Sequence, residues 1–239
     1  MDHDGLFSVA GKVAVVTGGS RGIGLMIAEA LVQGGARVYI SSRKADVCDA
    51  VAAELSTKGE CVSLPVDLSS ETGARALADA VNEREAAVHV LVNNAGATWG
   101  APLEDYPDSA WDKVYAVNVK AAFHLTRFLL PRLRAAATAD DPARVINVGS
   151  VDGMRVPATE NYAYAASKAA VHMMTRQVAH ALARDHITVN AIAPGPFRSK
   201  MMAFVLDAEG GEKMVASGVP LGRIGEPADM AGAVLFLAS

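Results

Sequence analysis

A chain of 239 residues with 51% hydrophobic and 20% charged side chains can bury a core that repays the ordering of its backbone, and it has no signature of disorder. The formal net charge is −4, and the 22 basic residues are scattered instead of gathered into a stripe, which argues against a nucleic-acid partner and for small-molecule chemistry. Cys48 and Cys61 form no C-x-x-C pair, so two reduced thiols are expected and no metal site. Asp2 and Asp4 stand where a secretory leader would be basic, and no apolar run approaches the roughly 18 residues of a membrane span, so the expectation is a cytoplasmic protein without a membrane partner.

In chain order, the Val-rich run Lys12 to Thr17 reads as a strand, and the glycines after it lead into a helix from Leu25 to Gln33 closed by Gly34 and Gly35. Arg37 to Ser41 is a second strand, Asp46 to Ser56 a second helix, Cys61 to Leu64 a third strand and Glu71 to Arg84 a third helix. The alternation continues through a strand Val88 to Val92, a long helix Trp111 to Leu133, a strand Arg144 to Val148, a second long helix Tyr162 to Arg184, a strand Ile187 to Ile192 and a helix Pro227 to Leu237. Strands that are apolar throughout are buried on both faces, and intervening helices supply the crossovers that parallel strands require. The fold class is therefore α/β, a doubly wound parallel sheet of the Rossmann type, in a single domain over residues 1–239. Pro194 to Pro220 is irregular and reads as a lid.

Between the first strand and the first helix, Thr17 to Gly24 has the spacing G-x-x-x-G-x-G, where backbone N–H groups and a helix start can meet a pyrophosphate. Gly18, Ser20, Arg21, Gly22, Ile23 and Gly24 are the candidate contacts, and glycine is expected where a Cβ would hold the phosphate away. After the second strand an NAD-binding chain offers a carboxylate to the ribose, but here the residues are Ser41, Ser42, Arg43 and Lys44. Ser42 and Arg43, with Arg21, suit a 2′-phosphate and hence NADP(H).

Tyr164 and Lys168 are four apart near a helix start, hence on one face. A tyrosine titrates near 10, so an adjacent ammonium that stabilises the phenolate is expected to bring proton transfer toward neutral pH. Ser150 follows a strand at its carboxyl end, where doubly wound sheets place ligands; it is either a turn former or a group that holds a carbonyl oxygen. Asn118 is a poor helix former among good ones, and either faces solvent or has a structural or water-binding task.

Taken together, Thr17 to Gly24, Asn93-Asn94-Ala95-Gly96, Asn118, Ser150, Tyr164-x-x-x-Lys168 and Pro194-Gly195 resemble, in order and spacing, the short-chain dehydrogenase/reductase family over nearly the whole chain. Val13 to Gly24, Leu91 to Gly100 and Ala143 to Ser150 look most similar to its 3-oxoacyl reductases, particularly the branch associated with rhamnolipid and polyester precursors. The resemblance implies Tyr164 as the acid, Lys168 on the nicotinamide ribose, Ser150 orienting the carbonyl and Asn118 holding a relay water. It also implies Asp67 and Leu68 at the adenine, Asn94, Ala95 and Gly96 along the adenosine, and Pro194, Gly195, Phe197 and Ser199 at the nicotinamide and its phosphates. It further implies a homo-oligomer, a tetramer or a dimer, built partly on the two long helices.

Three features depart from the family pattern. Tyr164 follows Ser150 by fourteen positions, one more than usual, so a reshaped loop Val151 to Asn161 is expected. Phe197 replaces a smaller branched residue and is expected to narrow the pocket. Relatives continue past a segment like Leu235 to Ser239 into a seventh strand, which is expected to be missing from this sequence.

Thr98, Trp99, Val151 to Val156 and the lid residues Phe197, Met201, Met202, Phe204 and Val205 make a mainly apolar pocket wall, suited to an acyl chain or bulky ketone, or else packing of the lid or a subunit contact. Arg155 and Arg198 stand near its mouth. The rival readings are a polyol or sugar-acid dehydrogenase similar to gluconate 5-dehydrogenase, and a nucleotide-sensing protein without turnover.

Overall fold

The strands β1 (Val13–Thr17), β2 (Arg37–Ser41), β4 (Val90–Asn93) and β5 (Ala143–Val148) are buried along almost their whole length, as their mainly apolar sequences require. With β3 (Cys61–Ser63) and β6 (Ile187–Ile192) they form one parallel sheet in the order β3-β2-β1-β4-β5-β6. The computed structural model describes residues 5–200 and 202–239, for Phe204 the backbone only, and the described residues form these six strands. Expectations resting on Asp2, Asp4, Met201 and the Phe204 side chain lie outside the described residues.

Helices cover both faces. One face packs α1 (Gly22–Gln33), α2 (Ala45–Leu55) and α9 (Pro227–Ala238) on a cluster built from Ile27, Leu31, Val16, Ile40 and Val92. The other packs α3 (Glu71–Asn82) and α5 (Ala121–Ala136) on Val15, Leu91, Leu125, Leu129 and Val145, and the end of α6 (Tyr162–Leu182) joins it through Leu182. The strand order reverses between β1 and β4, so the crevice outside their carboxyl ends is where a doubly wound sheet takes its ligand.

The long helix expected from Trp111 to Leu133 is divided. It begins as α4 (Asp108–Tyr115), passes through a π-turn over Ala116–Lys120 and continues as α5. The turn closes with the Ala121 N–H on the Ala116 carbonyl, and Asn118 lies inside it. The lid is more regular than expected, because it contains two short helices, α7 (Ala203–Leu206) and α8 (Gly211–Ser217).

Two asparagines interrupt the apolar strands at the carboxyl end of the sheet. Asn93 donates to Thr126 Oγ1 at 3.2 Å and to Asn147 Oδ1 at 2.9 Å, and Asn147 donates to Thr175 Oγ1 at 2.9 Å. All four are buried, so this chain of partners satisfies groups that would otherwise be costly, and it ties α5 through β4 and β5 to α6.

At the opposite end of the sheet, His89 Nδ1 accepts the Val13 N–H at 3.0 Å, and Lys12 donates to both Asp141 oxygens at 2.7 Å. Burial opposes ionisation of Asp141, but hydrogen bonds from Lys12 and Arg144 outweigh it and hold the carboxyl below its ordinary range. His89 is pushed below 6.5 by burial and by the Lys12 and Arg144 cations, against a weaker pull from Asp141 and Glu85. Since the folded state then holds the His89 proton less well than the unfolded chain, stability is present above pH 6.5 and is lost as pH falls through the depressed value. The thermal midpoint should therefore drop as pH falls below 6.5, and His89→Asn, whose Oδ1 keeps an acceptor near the Val13 N–H but cannot titrate, should flatten that drop. An unchanged slope in the variant would remove His89 from the acid sensitivity.

Candidate active site

The loop between β1 and α1 is bent by Gly18 at φ 66° and Gly22 at φ 53°, values that side-chain-bearing residues rarely adopt. Arg21 occupies the position before the helix in extended geometry and makes no side-chain cap, so the first-turn N–H groups of α1 have no side-chain partner there. Gly24 is required for a reason other than phosphate approach: a Cβ there would lie 2.2 Å from the Gly18 carbonyl oxygen and 2.4 Å from Asn94 Nδ2. Its absence lets α1 pack on its own loop.

Asn94 braces the same loop. Its Nδ2 donates to the Thr17 carbonyl at 2.8 Å, while the N–H groups of Asn94 and Ala95 donate to Thr17 Oγ1 at 2.9 and 3.0 Å. The Asn94 amide is thus committed to protein, and Gly96, beyond it, is exposed along the crevice.

The Gly19 N–H donates to the Ser41 carbonyl at 3.2 Å, which holds the loop beside the end of β2. Arg21 and Arg43 are exposed, and neither has an acidic partner among the described residues. Ser20 is buried, and the Ser42 hydroxyl makes a long contact of 3.4 Å to the Lys44 carbonyl. Leu68 is packed into the core beside Thr17 and Ala95 at the closed end of the crevice, whereas Asp67 is exposed and accepts the Ser69 N–H at 3.0 Å. Ser199, from the lid, reaches the loop, since a Cβ on Gly22 would lie 3.1 Å from its Cβ. Ile23 is half-buried, Pro194 is buried and Gly195 exposed.

Phe197 departs from expectation. Its ring is buried against Gly225, where a Cβ would lie 2.3 Å from the ring, and belongs to the core cluster beneath α1 and α9. It therefore does not narrow the pocket, and only its backbone is placed to meet a ligand. Arg198 is also committed, through ion pairs to Asp207 and Glu212 that pin the lid helices.

The reacting groups gather at the ends of β4 and β5. Tyr164, Ser167 and Lys168 lie on the first turns of α6. Lys168 is 5% exposed, its Nζ donates to the Val148 carbonyl at 2.7 Å, and it lies 5.6 Å from the Tyr164 ring centre. Ser150 accepts the Asp152 N–H at 3.1 Å on its Oγ, and its side chain lies close enough to the Tyr164 phenol to act on its ionisation. A Cβ on Gly96 would stand 3.5 Å from Asn118 Oδ1 and 3.9 Å from Lys168 Nζ, so the open side of that glycine faces both.

Asn118 is 3% exposed, which excludes the solvent-facing reading. Its Oδ1 accepts the Ala97 N–H at 2.7 Å, and its Nδ2 donates to the Ala97 carbonyl at 3.0 Å and to Ser167 Oγ at 2.9 Å. Both amide hydrogens are spent, so a water can meet this side chain only as a donor to the remaining lone pair of Oδ1. Ser167, which sequence reasoning passes over, donates in turn to the Tyr164 carbonyl at 2.7 Å and links the π-turn to the start of α6.

The electrostatics differ from the sequence-based expectation. Burial pushes the Tyr164 phenol above 10, opposed by its hydrogen bond with Ser150 and reinforced by the Asp152 charge. Burial also pushes Lys168 down, from 10.5 to about 8. Burial is the largest influence on the phenol, and the Lys168 ammonium is not among the groups that lower it.

The fold and this arrangement define a dinucleotide-type oxidoreductase site, and comparison fixes the class. The chain belongs to the short-chain dehydrogenase family, whose model matches residues 12–210. It is 49% identical over 232 residues to the rhamnolipids biosynthesis 3-oxoacyl-[acyl-carrier-protein] reductase of Pseudomonas aeruginosa, covering 97% of this chain and 91% of that protein. A solved Pseudomonas aeruginosa RhlG/NADP active-site complex superposes with a TM-score of 0.95 at 48% identity, covering 98% of this chain and 91% of the other. At 33% identity the chain is also similar to the 5-keto-D-gluconate 5-reductase of Escherichia coli, over 98% of its length and 91% of that enzyme.

Lys168 allows a test of stability against pH. Below about 8 the folded state must hold a buried cation that the unfolded chain would solvate, a cost of about 3 kcal/mol that is relieved as pH rises from about 8 toward 10.5. Lys168→Met removes that cost and loses one hydrogen bond, so the thermal midpoint at pH 7 should rise by roughly 5 °C and its increase above pH 8 should flatten. A lower midpoint in the variant would show that the Val148 contact outweighs desolvation.

Proposed function

We propose that this protein is an NADP(H)-dependent carbonyl reductase that converts a 3-oxoacyl thioester, or a similar apolar ketone, to the alcohol, with Tyr164 as general acid. The observation that carries the reading is the convergence of Ser150, Tyr164 and Lys168 beside Gly96, at the carboxyl end of the sheet and in line with the glycine loop. The loop fits a dinucleotide: two glycines at positive φ and the start of α1 present backbone donors, and a pyrophosphate can lie against them. Arg21, Ser42 and Arg43 would hold a 2′-phosphate, Lys168 the nicotinamide ribose, and Asn94 to Gly96 the adenosine side. When bound, the nicotinamide supplies the hydride.

The rest of the chemistry belongs to the chain. The Ser150 hydroxyl donates to the substrate carbonyl oxygen and orients it toward Tyr164. The Tyr164 phenol, protonated at neutral pH and pushed further above 10 by burial, gives its proton to that oxygen as negative charge develops there. The Asn118 side chain, buried against Ala97 and Ser167, holds the adjoining wall and can accept a hydrogen bond from a relay water.

Trp99, Met154 and Val156 are large apolar residues left exposed at the mouth, which favours an acyl chain or bulky ketone over a polyol. The similarity to a keto-gluconate reductase supports a second reading, a sugar-acid reductase, for which Arg155, exposed in the same segment, would meet a carboxylate. The name of the Pseudomonas relative favours the first. A homo-oligomer is supported by Phe123 on α5 and Met173 on α6, both large and exposed, and a reducing, cytoplasmic setting by two free, buried cysteines.

NADPH oxidation followed against acyl thioesters, diketones and keto-sugars tests the substrate class, and a preference for keto-sugars would overturn the first reading. Tyr164→Phe should lower turnover by ~10²–10⁴-fold while NADPH still binds. Unchanged turnover would remove Tyr164 from the mechanism. Arg43→Ala should reduce the preference for NADPH over NADH by ~10-fold or more, the worth of a charge-assisted contact, and no change would place the 2′-phosphate elsewhere.

A further inference from the structure

We propose that His172 is a positioning residue that fixes the carbonyl-orienting Ser150. Residues 164, 168 and 172 recur at four-residue steps and therefore share one face of α6. Two of them reach the backbone at the end of β5: Lys168 holds the Val148 carbonyl, and His172 Nε2 lies 3.0 Å from the Ser150 carbonyl oxygen. A carbonyl only accepts, so His172 carries its proton on Nε2 and donates it.

The contact is a built one. Gly149 lies directly under the imidazole, and a Cβ on it would stand 2.3 Å from the His172 ring. The residue before Ser150 is therefore one that gives the ring room. Around it, the Gly149 N–H donates to the Ile192 carbonyl at 2.8 Å and the Val151 N–H to the Pro194 carbonyl at 3.1 Å, which ties this segment to β6.

Ser150 starts a short turn over Val151–Gly153, in which the Gly153 N–H donates to the Ser150 carbonyl at 3.1 Å and the Asp152 N–H to Ser150 Oγ at 3.1 Å. The Ser150 carbonyl thus accepts from both Gly153 and His172. Swinging the Ser150 peptide plane would break both bonds and turn Cβ, and with it the hydroxyl, away from Tyr164. His172 touches neither the phenol nor, by the proposal, the substrate, so its effect on turnover passes through Ser150. The inference rests on the reduction proposed above for the role of Ser150, but the geometry it asserts is measurable without turnover.

The test compares His172→Leu, which fills similar space without a donor, with His172→Gln, which can restore one. In His172→Leu the amides of Asp152 and Gly153 should exchange hydrogen faster than in the parent, and in His172→Gln they should return toward it. The kcat for ketone reduction should fall about 10-fold in His172→Leu, the effect of one lost hydrogen bond, with NADPH affinity unchanged and partial rescue in His172→Gln. In a Ser150→Ala background, His172→Leu should cause no further loss, because the group it positions is gone. Additive losses of kcat, or unchanged exchange at Asp152 and Gly153, would overturn the proposal. A parent protein that reduced no ketone would defeat the functional reading instead, and the exchange measurement would still decide the role of His172.

Discussion

One hydrogen bond governs the site: the Lys168 ammonium on the Val148 carbonyl, 2.7 Å apart and sealed from water. It fixes how α6 lies across the end of β5, and the helical period then decides what else that face delivers. Tyr164 lies one turn earlier, beside Ser150; His172 lies one turn later, on the Ser150 carbonyl; Thr175 lies beyond it, on the Asn147 amide. Four residues of one helix thus address three positions at the end of β5, Asn147, Val148 and Ser150. Among the described residues no acidic group forms an ion pair with Lys168, so the backbone carbonyl is its charge-stabilising partner, and the depressed pKa records how incomplete that compensation is. A site designed only for stability would not bury a lysine this way.

Much of this was legible in the sequence where local chemistry decides the structure. Mainly apolar runs such as Val13 to Thr17 and Arg144 to Val148 are buried on both faces, and their alternation with helices dictated a parallel, doubly wound sheet. Tyr164 and Lys168 share a helix face because of their spacing alone. What escaped was set by contacts distant in sequence. Phe197 read as a pocket wall because its partner, Gly225, is far along the chain, and nothing near Phe197 announces a ring-sized gap. The reason for Gly24 is likewise tertiary, since it is the backbone of Gly18 that leaves no space for a side chain.

Other features left signals that the periodicity obscured. Asn118 stands out as a poor helix former, and the π-turn around it shows why: the wider turn buries its amide against Ala97 and Ser167 instead of letting it face solvent. Asn93 and Asn147 are polar residues in strands otherwise buried and apolar, a pattern that calls for partners, although which partners only the register of β4 on β5 reveals. His172 sits two turns from Tyr164 on the same face, with a glycine just ahead of Ser150; both halves of that contact are visible in sequence but point to each other only once α6 crosses β5.

Burial also bears on the protonation states from which the proposed reduction would start. It shifts the two central groups oppositely, raising the Tyr164 phenol above 10 and lowering Lys168 to about 8, and both shifts favour neutral forms. Reduction needs a phenol that still holds its proton when the carbonyl oxygen begins to accumulate charge, and that is the form this environment favours. Oxidation needs the phenolate as base, which the same desolvation and the Asp152 charge oppose. At neutral pH Lys168 remains mostly an ammonium, so in the proposed reduction it would attract the anion left on Tyr164 after proton donation. On that proposal the charge would be stabilised where it develops, and the packing that makes Lys168 costly to bury would strengthen the attraction.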